Sequence, residues 1–285
     1  MFGDDHSAGA DIAWKWITAH EWPAWDLDIV YVTPPDPSLV SLVTSDSLRE
    51  VQPEHPRTIP KSSGLKEVRY LTAAGDPRIV LSEGLGVGLT VIGARGSGIM
   101  KALHLGSTAE WLAKSPNAPV VIARRSARIH SILACVDGST HSDAAIAALA
   151  RMPWIAATHV TVLAVDHDLD WDWDSQVPSL REKAEYSARI LRDCGARVSV
   201  KVLLADPAVS RLNAKYSIFD VIDSLAPDLV SLGTKGRRGL SRALMGSIAG
   251  AVTQYAECSV LLAHDHTSDF DGDNNSAIKQ WSPTP

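Results

Sequence analysis

The stretches Gly93-Ala94-Arg95-Gly96 to Gly106-Ser107 and Gly233-Thr234-Lys235-Gly236 to Gly246-Ser247 carry one spacing, G-x2-G-x9-G-S, with Gly233 following Gly93 by 140 positions. Each copy follows an apolar run, Leu89-Thr90-Val91-Ile92 in one case and Leu229-Val230-Ser231-Leu232 in the other. Each precedes a helical segment and a second apolar run, Pro119-Val120-Val121-Ile122-Ala123 or Ser259-Val260-Leu261-Leu262-Ala263. Strand, glycine loop, helix, strand is thus written twice. A single short glycine motif is weak evidence for a site, but two copies in one context are much stronger.

The spacing suits an anion. Glycines leaving a strand let the backbone adopt positive φ and approach a ligand with no Cβ in the way. Successive loop N–H groups can form a nest for phosphate oxygens, and the closing Gly-Ser opens a helix whose N-terminus favours negative charge. Lys235, Arg237, Arg238 and Arg242 place cations in the second loop, and Arg95 and Lys101 do so more sparsely in the first. The structural alternative is a pair of ordinary strand-to-helix turns with a solvated basic face.

A chain of 285 residues with 45% apolar and 21% charged residues is long enough for two globular domains. No apolar run reaches the roughly 18–20 residues needed to cross a bilayer, and the acidic start Met1-Phe2-Gly3-Asp4-Asp5 is unlike a signal peptide. Cys135, Cys194 and Cys258 lack CxxC spacing, as expected of reduced cysteines in a cytoplasmic protein. The net charge of −6 argues against non-specific nucleic-acid binding.

With these residues in place, the chain resembles a tandem universal stress protein, of the subgroup whose G-x2-G-x9-G-S/T motif accompanies ATP binding. The second half follows that family along most of its length. Ile132-Leu133-Ala134-Cys135-Val136 forms a strand ending in Asp137-Gly138-Ser139-Thr140-His141-Ser142, an alanine-rich helix covers Asp143 to Ala150, and the β-α alternation runs to Leu262. The resemblance implies an α/β fold of two tandem, open-sheet, mostly parallel Rossmann-like domains, of the adenine nucleotide alpha hydrolase-like kind. Their bounds are residues 1–124 and 129–264, joined by a basic linker and followed by a mobile polar tail at 265–285. It implies ATP or a related adenine nucleotide as ligand, with magnesium as a possible companion, in a cytoplasmic stress-response protein. Asp137 would contact the adenosine part and the Val165 backbone the adenine. Gly233, Lys235, Gly236, Arg237, Arg238, Gly246 and Ser247 would hold the phosphates. In the first half the matching positions are Asp5, Gly93, Gly96, Gly106 and Ser107. The structural alternative for Asp137 is that it caps the next helix or shapes its turn.

Alignment of the halves pairs Asp5 with Asp137 and Gly75-Asp76-Pro77 with Ala205-Asp206-Pro207. The second half then carries extra residues between Pro207 and Gly233, expected around Arg211 to Asp220. The strands expected in that half are 130–136, 159–165, 197–204, 228–233 and 259–263. The first half departs from the pattern, because only Met1 to Asp4 precede Asp5. In the family's strand order, 3-2-1-4-5, the shortened strand is central, so its neighbours are expected to lose partners and the domain to be the degenerate copy. Pro53, Pro56 and Pro60 interrupt the helix expected over residues 38–61.

Trp14, Trp16, Trp22 and Trp25 suit a core, and also an interface that would drive homodimerisation over the truncated sheet. The edge strands 119–123 and 259–263 are expected to cover each other in an internal pseudo-dimer, with the basic linker on the surface. The acidic run from Asp166 to Asp174 lacks the glycine and glutamate of a calcium loop; it suits an acidic lid, in which Trp171 or Trp173 could stack on adenine. His104, His130, His141 and His159 have no metal-ligand spacing. No P-loop, dinucleotide fingerprint or nucleophile elbow is present. The expected function is nucleotide-dependent regulation without catalysis. The alternative is a slow nucleotide hydrolase or nucleotidyl transferase, and an interaction module without ligand fits the first half best.

Overall fold

The computed structural model describes residues 1–33, 48–83, 86–96, 105–114, 116–166, 179–204, 213–236 and 245–265. The lengths of chain bearing Arg237, Arg238, Arg242, Lys101, Trp171, Trp173 and the tail from 266 onward lie outside them, as does the run 34–47. The second half forms β7 (Ser131–Val136), α4 (Thr140–Ala150), β8 (His159–Asp166), α5 (Leu180–Asp193), β9 (Arg197–Leu204), α6 (Asn213–Leu225), β10 (Leu229–Gly233), α7 (Ser247–Tyr255) and β11 (Ser259–Ala263). All five strands fall where the apolar runs place them. β7, β8, β10 and β11 are largely buried from both faces and read as near-continuous apolar runs, whereas the edge strand β9 alternates half-buried valines with exposed Ser199 and Lys201. Helix α4 starts three residues before Asp143 because the Ser139 hydroxyl accepts the Ser142 N–H at 3.2 Å and caps it. Ser179 and Glu182 cap α5 reciprocally. The extra second-half residues lengthen α6 to 13 residues.

The first half contributes β1 (Phe2–Gly3), α1 (Ala8–Thr18), β2 (Asp26–Thr33), β3 (Arg49–Glu50), β4 (Glu67–Ala74), α2 (Pro77–Ser82), β5 (Thr90–Gly93), α3 (Ser107–Lys114) and β6 (Val120–Ala123). Among the described residues one sheet of 11 strands results, in the order β3-β4-β2-β1-β5-β6-β11-β10-β7-β8-β9. The first strand is shortened as expected, but the expected loss of partners is corrected here: the two-residue β1 keeps its place, paired parallel to β2 and β5. Asp4 N–H donates to Val30 O, and Val91 N–H donates to Met1 O, both at 2.9 Å. Four residues therefore suffice to bridge the middle of β2 to β5. The segment over residues 51–66, with its prolines, forms no α-helix; β3 instead adds antiparallel to β4.

The halves meet through β6 and β11, antiparallel, with Val121 opposite Leu261. Both residues are fully buried, so two apolar edges cover each other. Helices α1, α4 and α5 cover one face of the sheet, and α2, α3, α6 and α7 the other.

The tryptophans take the core role, between the halves. Trp16 and Trp22 pack on Trp154 of the second half, with centroids 6.0 and 6.2 Å away. His20 lies 4.5 Å from the same ring. Trp14, Trp16 and Trp22 are buried and Trp25 is half-buried, so this cluster joins the halves. Arg125 to Arg128 are exposed, as a linker should be, but both ends are tied down. The Arg124 guanidinium donates to Thr253 O near the end of α7, and Ile129 N–H donates to His20 Nε2 at 3.0 Å.

Candidate functional site

The second-half site lies at the carboxyl edge of the sheet, where the strand order reverses between β7 and β10; ligands of open α/β sheets bind at such a crevice. Asp137 leaves β7 there. Its Oδ1 accepts the Ser139 N–H at 3.0 Å and the Ser139 hydroxyl at 2.6 Å, which builds the turn into α4. Ser139, not Asp137, is the cap, so Asp137 shapes the turn with one oxygen. Its other oxygen lies against the glycine loop: a β-carbon on Gly236 would stand 2.7 Å from Oδ2. Gly138 between them adopts φ +74°, a left-handed conformation that glycine takes without cost.

The remaining glycines are explained the same way. A β-carbon on Gly233 would meet the His141 carbonyl carbon at 2.6 Å, because the first turn of α4 packs directly on the loop backbone. One on Gly246 would stand 3.4 Å from Thr234 O, to which the Gly246 N–H donates at 2.8 Å. Gly246 caps α7 with no side chain, and Ser247 is the first helical residue and exposed. The N–H groups opening α7 lack partners within the helix. Lys235 is 7% exposed, and its carbonyl accepts the Ser139 hydroxyl at 3.4 Å. Val165 is the residue of β8 just past the last rung with β7, Val136 opposite Ala164, while still paired with Leu203 on its other side. Asp137, Val165, Gly233, Lys235, Gly236, Gly246 and Ser247 therefore share one edge.

Lys183, from the first turn of α5, was not anticipated. Its ammonium approaches Gly138 O at 3.5 Å, laying the side chain over the turn after β7. Burial raises the Asp143 carboxyl above its ordinary range, Lys183 opposes this, and Asp137 and Asp265 push it further up. Burial pushes the Cys135 thiol, two residues before Asp137, up to about 12, so it stays protonated. Among the described residues no three histidine, cysteine or acidic side chains are grouped to hold a metal.

The first half repeats the frame. Gly106 N–H donates to Ala94 O at 2.8 Å, and a β-carbon on Gly96 would stand 2.5 Å from Asp5 Oδ2. Asp5 Oδ1 accepts Ser7 N–H at 3.1 Å, and His6 takes φ 58° at the position of Gly138. Gly93 packs on Gly9, and Ser107 opens α3. The surroundings differ. Asp4, buried where the second half has Val136, is gripped by Arg57 through Nε at 2.7 Å and Nη2 at 2.6 Å, and Nη1 of the same residue reaches Asp11 at 2.5 Å. Burial alone would raise the Asp4 carboxyl; the Arg57 hydrogen bonds, the His6 N–H and the neighbouring positive charge together outweigh it and hold Asp4 below its ordinary range. Arg57 thus ties the end of β1 to α1 beside the first glycine loop.

Comparison with known proteins supports the fold and one half in particular. A universal stress protein from Archaeoglobus fulgidus DSM 4304 superposes with a TM-score of 0.60 at 14% identity, covering 93% of this chain and 97% of that one. A functionally unknown protein from Pseudomonas aeruginosa PAO1 gives 0.53 at 16% identity, over 85% of this chain and 83% of its own. No curated protein matches the chain. Residues 128–264, which include the second-half edge, match the Universal stress protein family.

Proposed function

We propose that the second half binds ATP or a related adenine nucleotide, and that the chain is a stress-response protein whose conformation or partners follow occupancy. The observation that carries this is the glycine loop laid against Asp137 and the α7 N-terminus: a β-carbon on Gly236 would stand 2.7 Å from Asp137 Oδ2, and the Gly246 N–H closes the loop onto Thr234 O at 2.8 Å just before the opening N–H groups of α7. Gly236, Gly246, Ser247 and Lys235 would hold phosphates, with Arg237 and Arg238 adding charge; Asp137 and the Val165 backbone would hold the nucleoside. The match of residues 128–264 to the universal stress protein family favours the same reading. Among the described residues no helix is long and apolar enough to cross a membrane, and a cytoplasmic location is part of the proposal.

The first half is proposed to bind nucleotide weakly or not at all, because Arg57, Asp4 and Asp11 form a closed ion-pair group at its edge. Calorimetric titration of the full chain with ATP tests both statements. One equivalent per chain, lost in Gly246→Val, is expected. Two equivalent sites would refute the assignment of the first half, and unchanged affinity in Gly246→Val would refute that of the second.

A further inference from the structure

His141 and His264 stack with ring centroids 4.4 Å apart, at 7% and 8% exposure. His141 stands in the first turn of α4, and its Nδ1 accepts the Asp265 N–H at 2.9 Å, which leaves the proton of a neutral ring on Nε2. His264 follows β11, and its Nδ1 lies 2.6 Å from the hydroxyl of Thr234, the fully buried residue after Gly233. Thr234 is itself fixed through its backbone: its N–H donates to Ala263 O at 2.9 Å, and its carbonyl accepts the Gly246 N–H at 2.8 Å. The stack and the hydroxyl bond therefore join the turn after Asp137, both ends of the glycine loop and the exit of β11.

At the matching positions the first half has Gly9, Ala94 and Arg124. None can form the stack or the hydroxyl bond, and the Arg124 guanidinium turns to Thr253 O instead. The residues of this network therefore have no counterpart in the first half.

We infer that Thr234, His264 and His141 are positioning residues of the second-half site, holding the glycine loop in the shape that phosphates meet without touching the nucleotide. The inference rests on the nucleotide reading above. A loop that is only partly competent weakens binding by the competent fraction. A buried hydrogen bond with one partner removed leaves the other unsatisfied, at a cost that corresponds to about a tenfold loss.

The test is calorimetric titration of the full chain with ATP in three single variants and the Thr234→Val/His264→Phe double variant, alongside trypsin cleavage of the same proteins without nucleotide. Thr234→Val removes the hydroxyl at nearly constant volume. His264→Phe keeps a stacking ring without nitrogen, and His264→Asn restores a polar atom near Nδ1. Thr234→Val and His264→Phe should each weaken ATP about tenfold and speed cleavage after Lys235 and Arg237, His264→Asn should recover most of both, and the double variant should be no weaker than either single one. Parent-like affinity in Thr234→Val and His264→Phe overturns the inference, as does His264→Asn no better than His264→Phe. If Thr234→Val fails to fold, the two His264 variants decide alone. Absence of ATP uptake by the parent overturns the nucleotide reading itself, and this is read from the parent titration alone.

Discussion

Gly236 and Asp137 are packed so closely that a β-carbon on the glycine would stand 2.7 Å from the carboxylate Oδ2, and Gly96 repeats the relationship with Asp5 at 2.5 Å. The two glycine loops are therefore built against the same acidic turn, although their surroundings have diverged. The obstacle at Gly236 is a side-chain oxygen, whereas at Gly233 it is the backbone of α4, and this distinction separates binding from stability.

Gly233→Ala should destabilise the second half by about 1–3 kcal/mol, since neither His141 backbone nor loop can move without disturbing β10. Gly236→Ala should cost little stability and still weaken nucleotide binding. Urea unfolding together with ATP titration of both variants checks the contrast. Equal stability losses would contradict it.

Arg57→Ala should cost about 3–5 kcal/mol, because the Asp4 side chain, 2% exposed, would keep a buried charge without its partner. Adding Asp4→Val, the residue type of Val136, should return most of the loss. Chemical denaturation of the single and double variants decides this. A double variant no more stable than Arg57→Ala would show that Arg57 acts through something other than the Asp4 charge.

His20 gives a pH dependence. Burial pushes its pKa from 6.5 down to about 4, against the opposing effect of its bond to Trp16 O, with Arg128 and His130 lowering it further. The unfolded chain then binds a proton between pH 6.5 and 4 that the native chain does not. Stability is complete above pH 6.5 and falls as the pH drops through this window, by roughly 3 kcal/mol for this group. Unfolding at a series of pH values should show the loss in the parent and a smaller slope in His20→Gln. Identical slopes would contradict the buried neutral histidine.

How much of this was legible beforehand follows from how local each signal is. The central strands of the second half are readable because both-face burial writes apolar runs, as in Val260 to Ala263, and the edge strand β9 because Val198, Val200 and Val202 alternate with polar residues. The start of α4 was read late because its cap, Ser139, lies within what looks like loop. The persistence of β1 was not readable, since the hydrogen bonds of Met1 and Asp4 to Val91 and Val30 depend on tertiary placement. Lys183, Arg57 and the His141–His264 stack were missed for the same reason, as each partner is tens of residues away. Laying Gly9, Ala94 and Arg124 beside His141, Thr234 and His264 would have shown that the halves differ around their loops. Trp16 and Trp22 were correctly suited to a core, but nothing local pointed to Trp154 as their partner.

Leu261→Lys should part the halves, because it places a charge in the fully buried pair with Val121. Trypsin should then cut faster between Arg124 and Arg128. Parent-like cleavage and melting would mean that the β6–β11 pairing does not hold the halves together.

Turnover should be absent. Incubation with ATP and magnesium should release no phosphate over multiple turnovers beyond a Gly236→Val control. Sustained release that disappears in the control would favour a slow hydrolase over a binding protein.

The central claim is that residues 128–264 hold an adenine nucleotide, and mass spectrometry of the ligand released by denaturing freshly purified protein tests it most directly. The expected result is an adenine nucleotide approaching one per chain, missing from Gly246→Val purified in parallel. Release of no nucleotide, together with no uptake when ATP is added to the same preparation, would contradict it.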